Sequence, residues 1–188
     1  MNKGTWLVAA AIWGILVIVG SAGIGNARPP ANCIGIDACF NNTGPVAGNS
    51  CNGDEACANN TAAIAPNSCD QETACQGNSG SIAPNSCNGP GSCETNSAAI
   101  APNSCEQETS CEGNSGSVGP GSCNGGSACY HNTAAIGQQS CNDNAACFGN
   151  TAPIGTNSCN GIAACDCNTT PIGPNQCNGD GVCKGQCT

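Results

Sequence analysis

Residues 51–68 read CNGDEACANNTAAIAPNS, and residues 69–86 repeat the frame as CDQETACQGNSGSIAPNS. The cysteine pair Cys51 and Cys57 thus returns 18 residues later as Cys69 and Cys75. The interval holds through nine copies without an insertion, from Cys33 and Cys39 to Cys177 and Cys183. A register this strict makes each copy one structural unit that stacks on its neighbours. Positions are counted below from the first cysteine of each copy.

Eighteen residues also make five turns of an α-helix, but the chemistry opposes helix. Gly, Asn, Ser, Thr and Pro fill most positions, and each is poor in a helix interior. Short extended segments between Gly, Asn and Pro corners are expected instead. The predicted fold is all-β: a single-domain β-solenoid (β-helix) of about nine coils over residues 33–188, the last one partial. Eighteen divides into three sides of six, with small residues at positions 6, 12 and 18. In this sub-period, as in Ile-Ala-Pro-Asn-Ser-Cys from Ile100, the repeat resembles the hexapeptide left-handed β-helices. Only one side in three carries an aliphatic residue, so the handedness stays open. At the usual strand spacing such a rod is about 40 Å long.

Three columns would hold it together. Position 10 is Asn42, Asn60, Asn78, Asn96, Asn114, Asn132, Asn150 and Asn168, an internal column whose amides can donate to one coil and accept from the other. Position 14 is Ile or Val from Val46 to Ile172. The third column is sulfur. Nine cysteines at position 1 cannot pair among themselves without one left over, whereas pairing positions 1 and 7 within a coil uses all. The expected bonds are Cys33–Cys39, Cys51–Cys57, Cys69–Cys75, Cys87–Cys93, Cys105–Cys111, Cys123–Cys129, Cys141–Cys147, Cys159–Cys165 and Cys177–Cys183, with Cys167–Cys187 as an end staple. Axial bonds between coils are the rival pairing.

The first 27 residues are different material. Lys3 precedes an apolar run from Trp6 to Val19, and small residues lead to Ala27. That layout is a secretory signal peptide, with a short linker at 28–32. An uncleaved membrane anchor is the alternative; otherwise the mature chain is not membrane-embedded. Twenty cysteines fit an oxidising exterior, so the chain is expected to be secreted, extracellular or at the cell surface. The formal charge is −9, and past Ala27 only Arg28 and Lys184 are basic, so nucleic acid is excluded as a partner.

All twelve acidic residues lie at positions 2 to 5 or 8, and positions 10 to 18 carry no charge in any coil. Along the uncharged side, alternation turns positions 11 and 13 outward. The candidate binding face is Thr43, Thr61 with Ala63, Ser79 with Ser81, Ser97 with Ala99, Ser115 with Ser117, Thr133 with Ala135, Thr151 and Thr169, completed by Pro45, Pro153 and Pro171. This array and the C-x₅-C staple resemble the disulfide-stapled β-solenoid antifreeze proteins of beetles. Those use shorter coils and T-x-T files, where this chain has T-x-A or T-x-P and three coils with Ser. The resemblance implies ice binding. A structural or cell-surface scaffold is the principal expectation; the same face could instead take a glycan or a protein partner, and the open first coil suggests self-association by end-to-end stacking.

No enzyme is expected, because the chain repeats the same groups in every coil where catalysis needs one unique constellation. His131 is the single His, beside Tyr130. No cofactor or metal is expected: C-x₅-C is not zinc-ligand spacing, and no D-x-D-x-D-G loop occurs. Asn41, Asn59 and Asn168 head N-x-[ST] sequons. Position 8 accepts Phe40, Tyr130 and Phe148 as readily as Glu94, Asp166 and Lys184, which predicts a solvent-facing column.

Overall fold

The computed structural model describes residues 32–186. The leader, most of the linker and Cys187 lie outside the described residues. The coils follow the repeat: coil 1 is 33–50, coil 2 51–68, coil 3 69–86, coil 4 87–104, coil 5 105–122, coil 6 123–140, coil 7 141–158, coil 8 159–176 and coil 9 177–186. No helix forms among the described residues.

Backbone hydrogen bonds tie each coil directly to the next. In coil 3, the N–H groups of Thr73, Cys75, Gly77, Ile82 and Asn85 donate to Asp54, Ala56, Ala58, Ala63 and Pro66 of coil 2. In the other direction, Ser79 and Ala83 donate to Asn96 and Ile100 of coil 4, at 2.8 and 3.0 Å. Isolated parallel bridges join position 14 of adjoining coils, from Val46↔Ile64 to Ile154↔Ile172. Among the described residues these are the β-type contacts, and they fall on the side that carries the aliphatic residue.

Positions 4 to 9 differ from the extended side anticipated above. They form a run of turns. Within coil 3, Ala74, Gln76 and Asn78 donate to Gln71, Thr73 and Cys75, each three residues back. Alternate N–H groups therefore close turns inside the coil, while those between them reach the coil before. The accounting leaves no N–H from position 5 to position 10 of this coil unpaired. Left-handed backbone makes the corners. Position 1 has positive φ from Cys51 to Cys177, as do positions 5, 9 and 17 in most coils. Asn, which tolerates this region best after Gly, fills position 17 in Asn49, Asn67, Asn85, Asn103, Asn157 and Asn175.

The coils also alternate. Position 3 is Gly in coils 2, 4 and 6 but Gln71, Gln107 and Asp143 in coils 3, 5 and 7. A Cβ on Gly53, Gly89 or Gly125 would lie 2.3 Å from the carbonyl carbon of Gln71, Gln107 or Asp143. Position 9 alternates in opposite phase: Gly77, Gly113 and Gly149 lie beside the side chains of Thr95, His131 and Cys167. Position 3 thus alternates through coils 2 to 7 and position 9 through coils 3 to 8: the position-3 glycine leaves room for the backbone of the next coil, and the position-9 glycine lies beside a side chain of the next coil.

The alternation predicts opposite outcomes at one position. Gly89→Ala forces a methyl into the backbone of coil 5 and should cost about 2 kcal/mol or more. Gln71→Ala, which removes an exposed side chain, should shift stability by less than about 0.5 kcal/mol. Denaturant unfolding of the oxidised protein measures both.

Candidate functional site

The interior is built from files of one residue type. From coil 2 on, each position-10 Asn donates through Nδ2 to Oδ1 of the Asn one coil before: Asn60 to Asn42, Asn78 to Asn60 and Asn96 to Asn78, all at 2.8 Å. The file continues through Asn114, Asn132 and Asn150 to Asn168, whose bond to Asn150 is 3.0 Å. The second amide hydrogen goes to the position-12 carbonyl of the same coil, as from Asn78 to Gly80 at 2.7 Å. From Asn60 to Asn150 these side chains are fully buried.

A second polar file, at position 18, was not recognised as a hydrogen-bonded column from sequence. Ser68 Oγ donates to Ala83 O of the next coil at 3.0 Å and accepts from Ser86 N at 3.2 Å. The pattern repeats from Ser50 to Ser158. Its signal was the near-invariance of Ser at that position; read as merely small, it hid a donor and an acceptor that both cross between coils.

Sulfur closes the other side of each coil. The structure joins positions 1 and 7 within every coil, from Cys33–Cys39 to Cys177–Cys183, with Cα atoms 5.6 to 5.8 Å apart. Cys167 is also disulfide-bonded; Cys187, its expected partner, lies outside the described residues. The Sγ atoms of Cys87, Cys93 and Cys105 fall within 4.8 Å of one another. Cys87 is bonded to Cys93 and Cys105 to Cys111, so these sulfurs offer no thiolate to a metal.

Outside this frame, positions 11 and 13 are exposed in all eight coils that carry them, from Thr43 and Pro45 to Thr169 and Pro171. The backbone beneath is fixed, because the position-11 N–H donates to the Asn carbonyl of the next coil, as from Thr43 to Asn60 at 2.9 Å. Thr151 Oγ1 has a long contact with Asn168 O, at 3.4 Å. The other hydroxyls of the position-11 file have no hydrogen-bond partner among the described residues. They form a repeating outward array that the frame itself does not use.

The charged side is more varied. Asp70 Oδ1 accepts from Asn52 Nδ2 at 3.0 Å, and Glu106 Oε2 from Asn88 Nδ2 at 3.2 Å. Desolvation by burial raises the pKa of Asp70, Glu94 and Glu106 above the ordinary carboxylate range. For Glu94, the carboxylates of Glu112 and Glu55 add to the effect. Lys184 pairs with Asp166 at 2.7 Å. Position 8 is less open than expected: Ala58 is 3% and Asp166 9% exposed. There Tyr130 and Phe148 stack with centroids 5.0 Å apart, and His131 meets Tyr130 edge-on at 4.2 Å. The 18-residue offset between the two aromatic residues was the available signal. Of the sequon asparagines, Asn41 and Asn59 are exposed, whereas Asn168 is in the buried file.

This geometry belongs to a disulfide-stapled repeat, and the family comparison covers the whole of it. The family model for DUF7640, a domain of unknown function, matches residues 20–109 and again 91–188. The chain belongs to the DUF7640 family. No curated protein and no solved structure matches it. The disulfide content of this DUF7640 chain fits an extracellular, oxidising environment.

Two predictions follow from buried and half-buried polar groups. Ser92 and Ser110 occupy position 6, where the coils from Ala38 to Ala164 otherwise have Ala, and their buried hydroxyls have no partner. Ser92→Ala and Ser110→Ala should each stabilise the fold by about 1 kcal/mol in denaturant unfolding. Because the pKa values of Asp70, Glu94 and Glu106 are raised in the fold, the folded state holds more protons than the unfolded chain just above the ordinary carboxylate pKa. Their contribution is fully present below that pKa and is lost as pH rises through the raised values. The thermal midpoint should therefore rise between pH 7 and about pH 4, and should rise less in Glu106→Gln.

Proposed function

We propose that this chain is a secreted, non-enzymatic β-solenoid that serves as a rigid scaffold outside the cell or at its surface. The observation that carries the reading is how the polar groups are used. The Asn and Ser files are consumed in joining coil to coil, and the cysteines at positions 1 and 7 close the coils. What remains outward is a repeated, uncharged array on one side and a variable acidic side on the other. Repetition of this kind supports a load-bearing or spacing role better than a reaction centre, since it marks no single residue for chemistry. Parallel bridges at position 14 support the β-solenoid class. The apolar run after Lys3 supports export, with cleavage after Ala27. Cell fractionation with N-terminal sequencing tests it. The expected product begins at Arg28, is fully oxidised and lies in the medium or cell-surface fraction. Full-length protein with free thiols in the cytoplasm would refute the proposal.

A second reading, ice binding, is favoured by the exposure of positions 11 and 13 in every coil that carries them. Two files of small hydroxyl and methyl groups then repeat at about 4.8 Å along the rod. Thermal hysteresis with faceted crystals, abolished by Thr133→Lys, is the result this reading requires. Absence of hysteresis in the oxidised protein rejects it and leaves the scaffold reading intact.

A further inference from the structure

Coil 8, the last coil described in full, departs from the repeat at two positions, and each departure satisfies a group that the following coil satisfies elsewhere. Coil 9 is described through Gln186, at position 10, so positions 11 to 18 of coil 8 have no coil over them among the described residues. In coils 1 to 7, the Asn Oδ1 accepts Nδ2 of the following Asn. In coil 8 the Oδ1 of Asn168 keeps the contact from the position-12 N–H that coils 2, 3, 4, 6 and 7 also make, here Thr170 N at 3.2 Å, and in place of a following Asn it accepts from Thr170 Oγ1 at 3.1 Å. Thr170 stands where coils 1 to 7 have Gly or Ala, neither of which carries a hydroxyl.

The second departure is Gln176, in the place of Ser. From Ala47 to Gly155, the position-15 N–H donates to the position-14 carbonyl of the following coil. In coil 8 that N–H belongs to Gly173 and donates to Gln176 Oε1 at 3.2 Å. The side chain folds back across Gly173, with Nε2, Cδ and Oε1 all within 3.4 Å of where a Cβ would be. Gln176 N still accepts its place in the Ser file by donating to Ser158 Oγ at 3.1 Å. The same residue therefore continues the stack on its inner side and closes it on its outer side.

We propose that Thr170 and Gln176 are stop residues, which seal this edge against a further coil supplied by a second copy of the chain. An open ladder edge templates pairing, and coil 1 supplies a matching surface: Val46 N and Asn49 N have no acceptor among the described residues, whereas Ile64 N and Asn67 N, one coil on, donate to Pro45 and Gly48. The two stop residues turn the groups that a partner would bond inward, onto their own coil. Along positions 10 to 18 the block is made by hydrogen bonding, since no charged residue occupies them.

The test restores the repeat residues in the full oxidised chain as Thr170→Ala/Gln176→Ser. Wild type should sediment as a monomer over a hundredfold range of concentration, and the variant should shift to dimers and longer species. Amide exchange at Gly173 in dilute Gln176→Ser should quicken about fivefold, the factor for one lost hydrogen bond. A wild type that polymerises overturns the proposal, and so does a correctly oxidised double variant that stays monomeric, whatever Gly173 does. If the double variant misfolds, Gln176→Ser alone is judged by the same two readouts.

Discussion

The structure rests on one constraint: a polar group buried inside the rod must find its partner in the coil before or after it. An unpaired amide in such an interior costs about 1–3 kcal/mol, more than a formed hydrogen bond returns. The Asn file meets the constraint by geometry. A carboxamide offers two donors and an acceptor, and an identical group one coil away presents their complement. Both amide hydrogens are used, one along the stack and one within the coil, as Asn78 shows with Asn60 and Gly80. A slip of one residue would break every bond of the file together. The register of the rod follows from that penalty more than from its thin line of Ile and Val.

The disulfides solve a different problem. A coil of Gly, Asn and Ser has little apolar surface to hold its turns closed, and four of its positions bend through left-handed backbone. That backbone is unfavourable for a residue such as Cys51 or Thr73. A sulfur bridge across six residues fixes the corner in every coil, at a model-dependent value of about 2 kcal/mol each. With the corner fixed, the turn run from position 4 to position 9 can give half its N–H groups to the coil before. The staple and the ladder thus divide the work, one within coils and one between them.

Much of this was legible in the repeat. The cysteine interval marks the coil, an odd count of nine sulfurs in each column leads to the pairing of positions 1 and 7, and an Asn column in an otherwise small-residue frame reads as a ladder. What escaped was information that lies between coils. Gly53 against Gln71, and Gly113 against His131, look like loose variation in a consensus. Only the contact across one coil shows that Gly53 leaves room for the backbone of the next coil and Gly113 for the His131 ring. The residue chemistry suggested short extended segments between Gly, Asn and Pro corners, but positive φ at positions 5 and 9 makes one stretch a chain of turns. Thr170 and Gln176 depart from the Gly or Ala and the Ser that fill their columns in the earlier coils. Their chemistry, a hydroxyl where there was none and an amide where there was a hydroxyl, acquires meaning only against the bonds that the next coil would have made.

The same logic separates frame from function. Groups that face inward are committed to stacking, while positions 11 and 13 are held outward by a backbone already bonded to its neighbours. The claim beneath all of this is that the backbone bonds run from coil to coil, and residue-resolved amide hydrogen exchange on the oxidised protein tests it most directly. In coil 4, Ile100 and Ala101 should be strongly protected by their bonds to Ser81 and Val118, whereas Ala99, whose N–H has no acceptor among the described residues, should exchange orders of magnitude faster. Rapid exchange at Ile100 and Ala101 alongside Ala99 would mean a chain of loops tied by sulfur, and would contradict the stack.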